Sequence, residues 1–370
     1  MKNSGKIGID IRLWSHPGIG RYLRELVGAM GNRRNFEDFH FLGYQKDLEL
    51  LRMKKAGVSC QKVTSGIYSV AEQWEMARRA ESLPLLHVPH FNIPVCRQGK
   101  LVVTVHDLIY LHDAAASKSR WGKPYVEFLF REIQKKASAI LAVSEYTKAD
   151  LLNRFPKISS EKVYVTHEAA SSFFQPGLDA AALEAAGKKY HLEKPFVLFV
   201  GSLKEHKNIP LLIEAVKQFR TEKKIDADLV IVGRRDMKNE GLWRRIQENR
   251  VFVRYLGELT DADLATLYQL ARVFVLPSLR EGFGLPALEA MASGVPVIVS
   301  NRASLPEIAG NAGLVFDPER VDELTALLYN VFSDGALRER LSIAGIARAK
   351  EFSWEETAQK TLAVYQKVLA

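Results

Sequence analysis

The span from Val273 to Ser300 constrains the fold more than any other part of the chain. Val273-Phe274-Val275-Leu276 is apolar without interruption, as a strand covered on both faces of a parallel sheet must be. The chain then turns through Arg280-Glu281-Gly282-Phe283-Gly284-Leu285, where Gly282 and Gly284 permit a sharp bend and close approach to a ligand. Pro286 suits the first helical position, Gly294 and Pro296 mark the helix end, and Val297-Ile298-Val299 starts a second strand. A helix set between strands in this way aims its amino end at the glycine loop. Its unpaired N–H groups and positive dipole end favour phosphate there.

Two carboxylates flank this anion-friendly turn, Glu281 in the loop and Glu289 in the helix. Beside a phosphate each needs another partner, and sugar hydroxyls suit because ionised carboxylates are strong acceptors. The plainer alternative makes Glu281 a solvated loop residue and Glu289 a partner of the helix dipole.

The glutamates eight positions apart lie in the run EGFGLPALEAMASGVPVI, followed by Ser300-Asn301, Leu305-Pro306-Glu307 and Gly313-Leu314-Val315-Phe316-Asp317-Pro318. From Phe274 to Pro318 this resembles the donor-binding core of family 4 glycosyltransferases, retaining enzymes of the GT-B fold. The resemblance implies two doubly wound Rossmann-like α/β domains facing across a cleft. It also implies a nucleoside-diphosphate sugar as donor, with no metal or other cofactor.

The rest of the chain is compatible with that architecture. A length of 370 residues favours two domains, and 47% hydrophobic with 26% charged residues is an ordinary globular composition. Strand-like runs at Ile7–Leu13, Phe39–Gly43, Leu85–Pro89, Leu101–His106, Ala139–Ser144 and Lys162–Thr166 alternate with helical stretches, which predicts a parallel sheet over residues 1–170. A second alternation starts at Phe196 and covers residues 190–353, with Ala170–Lys189 between them as the linker. By resemblance the last helix, about 354–370, crosses back to the first domain, which would bind the acceptor.

No apolar run approaches the roughly 18 residues of a membrane span, and the start has no secretion-signal pattern. Cys60 and Cys96 have no metal-like spacing and read as thiols of a reducing compartment, so a cytoplasmic location is expected. Residues 1–170 carry 26 Lys and Arg against 17 Asp and Glu, whereas residues 171–370 carry 26 of each, so the surplus of +9 lies in the first half. That suits an acidic substrate or an anionic membrane surface touched peripherally, or is simply a solvated face. Nucleic acid is not expected, because no recognition motif accompanies the charge. Lys118-Ser119-Arg120-Trp121 and the helix start beyond it mix basic and aromatic residues, as a membrane contact or an ordinary amphipathic helix would.

Three further loops follow strands, where open parallel sheets bind ligands. Pro17-Gly18-Ile19-Gly20-Arg21 resembles the family turn whose backbone approaches the donor phosphate, which implicates Gly20. His106-Asp107-Leu108 ends a strand and resembles the family's active-site histidine facing the donor sugar. Gly201-Ser202-Leu203-Lys204-Glu205-His206-Lys207 resembles the turn whose cations grip pyrophosphate, with Lys207 at the lysine position. Many members carry arginine where this chain has Ser202, others where it has His206, so the second cation is missing and Arg280 or another basic residue must replace it.

The resemblance implies Glu281 and His106 as catalytic residues and Gly20, Lys207, Glu289 and the Phe283-Gly284-Leu285 backbone as donor-binding. The expected reaction moves a hexose from the nucleotide sugar to a glycan or lipid-linked glycan. Bacterial mannosyltransferases of polysaccharide assembly match the pattern best, so mannose and GDP-mannose are favoured. A sugar-nucleotide epimerase or phosphorylase of the same fold, or a noncatalytic glycan- or nucleotide-binding module, stays open at this point.

Overall fold

The computed structural model describes residues 5–34, 36–54, 57–112 and 122–370. The chain forms two compact units, Met1–Glu168 with Ser353–Ala370, and Ala169–Phe352.

The first unit is built on seven strands: β1 (Ile7–Asp10), β2 (Phe39–Gly43), β3 (Ser59–Lys62), β4 (Leu85–Val88), β5 (Lys100–Val105), β6 (Ala139–Ala142) and β7 (Val163–Val165). They pair in the order β3-β2-β1-β4-β5-β6-β7, all parallel. The central strands are apolar and buried throughout, which is why their sequences read as unbroken hydrophobic runs. β3 has no such run. It is an edge strand, Ser-Cys-Gln-Lys, half-buried and held by β2 alone, so no sequence signal announced it.

The first strand ends at Asp10, not at Leu13 as expected. Asp10 Oδ1 accepts the Arg12 backbone N–H at 3.0 Å and so turns the chain out of the sheet.

The helix Trp354–Leu369, capped by Ser353, packs on the helix Ile19–Arg33 within this unit. A buried polar chain fastens it. The Tyr365 hydroxyl meets His87 Nδ1, His87 Nε2 lies 2.8 Å from Thr104 Oγ1, and Thr104 Oγ1 lies 3.1 Å from the Tyr22 hydroxyl. Burial, helped by the charge of His106, holds the His87 imidazole down to about 3, so the folded unit keeps it neutral.

Unfolded, the same ring protonates near 6.5. The unfolded chain therefore binds more protons as pH falls below 6.5, and stability is lost towards about 3 at roughly 1.4 kcal/mol per pH unit. Denaturant titrations at pH 7 and pH 5 should show a smaller loss for His87→Gln than for the wild type. Parallel losses would show that the ring is not held neutral.

The second unit has six parallel strands, β8 (Phe196–Val200), β9 (Asp228–Val232), β10 (Val253–Gly257), β11 (Val273–Leu276), β12 (Val297–Ser300) and β13 (Leu314–Phe316). Their order is β10-β9-β8-β11-β12-β13. Part of the expected linker is not a connector. Ala180–Lys189 is a helix capped by Asp179, and it packs on the helix Asp261–Leu270 with Lys189 paired to Asp263 at 2.8 Å. Its alanine-rich sequence has high helix propensity, which the small-residue composition hid.

In both sheets the chain runs outward on one side, then returns to start the other. The reversal falls between β1 and β4 in the first sheet and between β8 and β11 in the second. The carboxyl ends of those strands are where such sheets place ligands.

Candidate active site

At the second reversal the turns after β8 and β11 are tied together. Leu279 N–H donates to the His206 carbonyl at 2.8 Å, and Asn208, held in a left-handed conformation (φ 53°), donates its side-chain amide to the Pro318 carbonyl at 2.9 Å. This clamp brings Lys207 onto Glu281, which is 74 residues later in sequence. Lys207 Nζ donates to Glu281 Oε1 at 2.5 Å, and Ser278 Oγ donates to the same oxygen at 2.6 Å.

Both side chains are about nine-tenths buried, 11% exposed each. Burial alone pushes the Glu281 carboxyl up. The Lys207 ammonium, the charge of His206 and the two hydrogen bonds outweigh it and hold the carboxyl below its ordinary range. The awkward carboxylate of the anion-friendly turn thus has a charged partner within the protein, Lys207.

Beside this pair starts the helix Leu285–Ala292. Gly284 caps it at φ 105°, and a Cβ there would meet Leu305 Cδ2 at 2.6 Å. The Gly284 and Leu285 N–H groups donate to no described group, so the helix start offers two donors to a ligand. Ser304 Oγ lies 3.0 Å from the Glu281 carbonyl and 2.7 Å from that of Phe283, fixing the loop from below.

The Phe283 ring is buried edge-on to Phe352, so its contribution to a ligand is its backbone. Glu289 is buried at 3% exposure, and its Oε2 accepts from the Tyr268 hydroxyl at 3.2 Å. Neither Ser278 nor Ser304 was singled out from sequence. The signal was their position, one just after a buried strand and the other just before Leu305-Pro306.

In the first unit Gly20 lies inside a helix, where a Cβ would meet the Trp14 carbonyl at 2.3 Å. The backbone N–H groups of Ile19, Gly20, Arg21 and Tyr22 donate to His16 Nδ1, the His16 carbonyl and the Gly18 carbonyl. The glycine therefore admits the chain's own backbone, and these four N–H groups bond within the chain.

His106, at the end of β5, has Nε2 at 3.1 Å from the Pro89 carbonyl and Nδ1 at 3.1 Å from Glu168 Oε1. Its ring stands edge-on to Tyr22, with 4.8 Å between centroids. Both ring nitrogens thus face oxygen atoms of the protein.

The first reversal carries a cluster that sequence reasoning missed. Arg12 donates bidentately to Asp10, through Nε and Nη2, and through Nη1 to Glu72. Asn92 Nδ2 donates to Glu72 Oε1 at 2.6 Å, and the Tyr68 backbone N–H donates to Glu72 Oε2 at 2.5 Å. Asp10, Arg12, Glu72, His90 and Asn92 are all buried. Lys118–Trp121, named as a candidate membrane contact, lies outside the described residues. The helix Gly122–Lys136 that follows buries Val126, Leu129, Phe130 and Ile133 and leaves Phe128 exposed.

Comparison with known proteins identifies the family. The family described as Glycosyltransferase Family 4 matches residues 17–169, and the one described as Glycosyl transferases group 1 matches residues 184–348. O-antigen chain mannosyltransferase B of Escherichia coli is 32% identical over 368 residues, covering 94% of this chain and 96% of that protein. The MMP alpha-(1->4)-mannosyltransferase of Mycolicibacterium hassiacum is 32% identical, over 73% of this chain and 66% of its own length. The structure of Anabaena Alr3699/HepE in complex with UDP-glucose superposes with a TM-score of 0.80 at 15% identity, over 98% of this chain and 99% of that one. The paired Lys207 and Glu281, set at the reversal of a doubly wound sheet, thus stand in a chain that belongs to the family 4 glycosyltransferases of GT-B fold.

Proposed function

We propose that this glycosyltransferase is a retaining mannosyltransferase, taking mannose from GDP-mannose and passing it to a glycan or lipid-linked glycan. The observation that carries the reading is the buried Lys207–Glu281 pair beside the open Gly284 and Leu285 amides. Pyrophosphate bound there takes the ammonium and the amides, and Glu281, released from Lys207, accepts the donor sugar's hydroxyls. Neutralisation of the leaving group by an ammonium and helix-end amides needs no metal.

Glu289 holds the ribose hydroxyls after exchanging its Tyr268 contact. The second cation is Arg234: Leu203 N–H donates to the Arg234 carbonyl at 3.0 Å, which sets that residue beside Ser202, and its exposed side chain has no partner among the described residues. His106 belongs to the acceptor-side machinery of the first unit, and Gly20 shapes its turn. No nucleophile is required, since the leaving phosphate can take the acceptor's proton as the new bond forms on the same face.

The named relatives that are mannosyltransferases support mannose as the transferred sugar. No described helix is long and apolar enough to cross a membrane. The basic surplus of residues 1–170 and the exposed Val70 and Trp74 support peripheral contact with an anionic, cytoplasmic-face membrane.

Calorimetry should show GDP-mannose binding more tightly than UDP-glucose, with Lys207→Ala and Arg234→Ala each weakening it. Transfer to a mannosyl lipid should retain the anomeric configuration, and sedimentation with phosphatidylglycerol vesicles should be reversed by salt. Tighter UDP-glucose binding would overturn the donor assignment. Nucleotide release independent of acceptor would favour an epimerase- or hydrolase-like reaction instead, and vesicle binding indifferent to salt would remove the membrane reading.

A further inference from the structure

The reversal of the first sheet, between β1 and β4, holds a pit of about 10 Å³ walled by Asp10, Arg12, Ile67, Pro89, His90 and Asn92 among others. That is room for one water or one hydroxyl group. His90 is 8% exposed, and its Nδ1 accepts the Asn92 backbone N–H at 3.3 Å. Burial, with the charges of His106, His16 and Arg12, holds the imidazole down to about 3, so the ring is neutral. A neutral ring with Nδ1 accepting carries its proton on Nε2. No described group accepts that proton. A nearly buried donor without a partner, lining a hydroxyl-sized pit, is the mark of a ligand contact.

The charges around the pit say what it takes. Arg12 is spent between Asp10 and Glu72, so its guanidinium offers no free charge to a phosphate or carboxylate. The carboxylate of Asp10 and the amide oxygen of Asn92 accept from a hydroxyl. Next to His90 stands Tyr68, half-exposed and held at φ 71° by its N–H bond to Glu72, with 6.2 Å between the two ring centroids. A backbone strained to present an exposed aromatic ring beside a hydrogen-bonding pit suits a pyranose, which offers an apolar C–H face and hydroxyl edges together.

We propose that this pit is the acceptor-sugar subsite, and that it binds a neutral hexopyranoside with His90 Nε2–H donating to one ring hydroxyl, Asp10 or Asn92 accepting from it, and Tyr68 covering the ring face. The assignment rests on the reading of the chain as a glycosyltransferase whose donor is held by the second unit. The pit adjoins the machinery already described, because Pro89 lines it and also accepts from His106.

The test titrates the full chain, labelled with 15N-histidine, with methyl α-D-mannopyranoside, methyl α-D-glucopyranoside and inorganic phosphate in the absence of nucleotide. At least one glycoside should shift the His90 Nε2–H resonance saturably, and phosphate should leave it unmoved. The dissociation constant should rise about tenfold or more in His90→Phe, the worth of one well-made hydrogen bond. It should rise also in Tyr68→Gly, which removes the ring while relieving the positive φ.

Absence of a shift with both glycosides, a shift with phosphate, or unchanged affinity in both variants overturns the proposal. Because the measurement needs no donor, it stays separate from the broader reading. Failure to bind any nucleotide sugar would sink that reading alone.

Discussion

Lys207→Ala is expected to lower sugar transfer by at least about 10²-fold, the cost of losing one preorganised charge from a site that stabilises developing negative charge. The ammonium sits 2.5 Å from Glu281 inside a nearly closed environment, where its field is little screened by water. Glu281→Gln should also lose at least about 10²-fold if its charge matters to the donor sugar, because the amide keeps the size but not the acceptor strength. The two losses should not add, since each residue positions the other. Initial-rate measurements on both single variants and the double variant decide it: near-normal turnover in either single variant would remove that residue from the catalytic machinery.

The same pair leaves a second signature. Without Lys207, burial acts on Glu281 with its main counterweight gone, so the carboxyl rises above its present, lowered position. The folded variant then holds a proton more firmly than the wild type does, and its stability relative to the wild type improves as pH falls. A fold that is merely damaged would not recover on acidification.

The difference in legibility between the two units has a physical cause. In the second unit the site's glycines, glutamates and helix start follow one another within Arg280–Glu289, so a reader of the sequence meets the whole loop at once. Lys207 comes from elsewhere, in the turn that follows β8. What could not be read was that Lys207 and Glu281 partner each other, because a pairing across 74 residues depends on strand order. In the first unit the site is assembled from four separate places: Asp10 and Arg12, the Tyr68 turn, Glu72 on a helix, and His90 with Asn92 after β4. None of these has a spacing that announces it.

The glycine turn at Gly20 looked like a phosphate loop because glycine permits two kinds of close approach. The chain's own carbonyls occupy the space that a side chain at this position would need. The buried strands were legible from hydrophobic runs alone, whereas the edge strand β3 and the helix Ala180–Lys189 depend on a neighbour and on propensity, and neither was read.

Arg12→Ala should destabilise the first unit by about 3–5 kcal/mol, the usual cost of removing one partner from a buried charge cluster. The guanidinium is raised above its ordinary range despite burial, because Asp10 and Glu72 both favour its charge. All three side chains are at most 7% exposed. Its removal leaves two carboxylates close together with little water to solvate them, and the Asn92 amide and the Tyr68 N–H cannot neutralise either. The loss should therefore depend on pH in a defined sense. In the variant the two carboxyls rise, the folded chain binds more protons than the unfolded one, and stability increases as pH falls until the carboxyls are protonated. His87 and His90, both held down to about 3, cost both proteins stability on acidification, so the carboxyls alone set the difference between them. Urea titrations at pH 7 and pH 5 should bring the two proteins closer together at the lower pH. The triple variant Asp10→Asn, Arg12→Met, Glu72→Gln should recover much of the lost stability, because no charge remains buried without a partner. If Arg12→Ala matched the wild type in stability at pH 7, the cluster would be hydrated rather than buried, and the pit beside His90 would lose the neutral character on which its choice of a sugar hydroxyl depends.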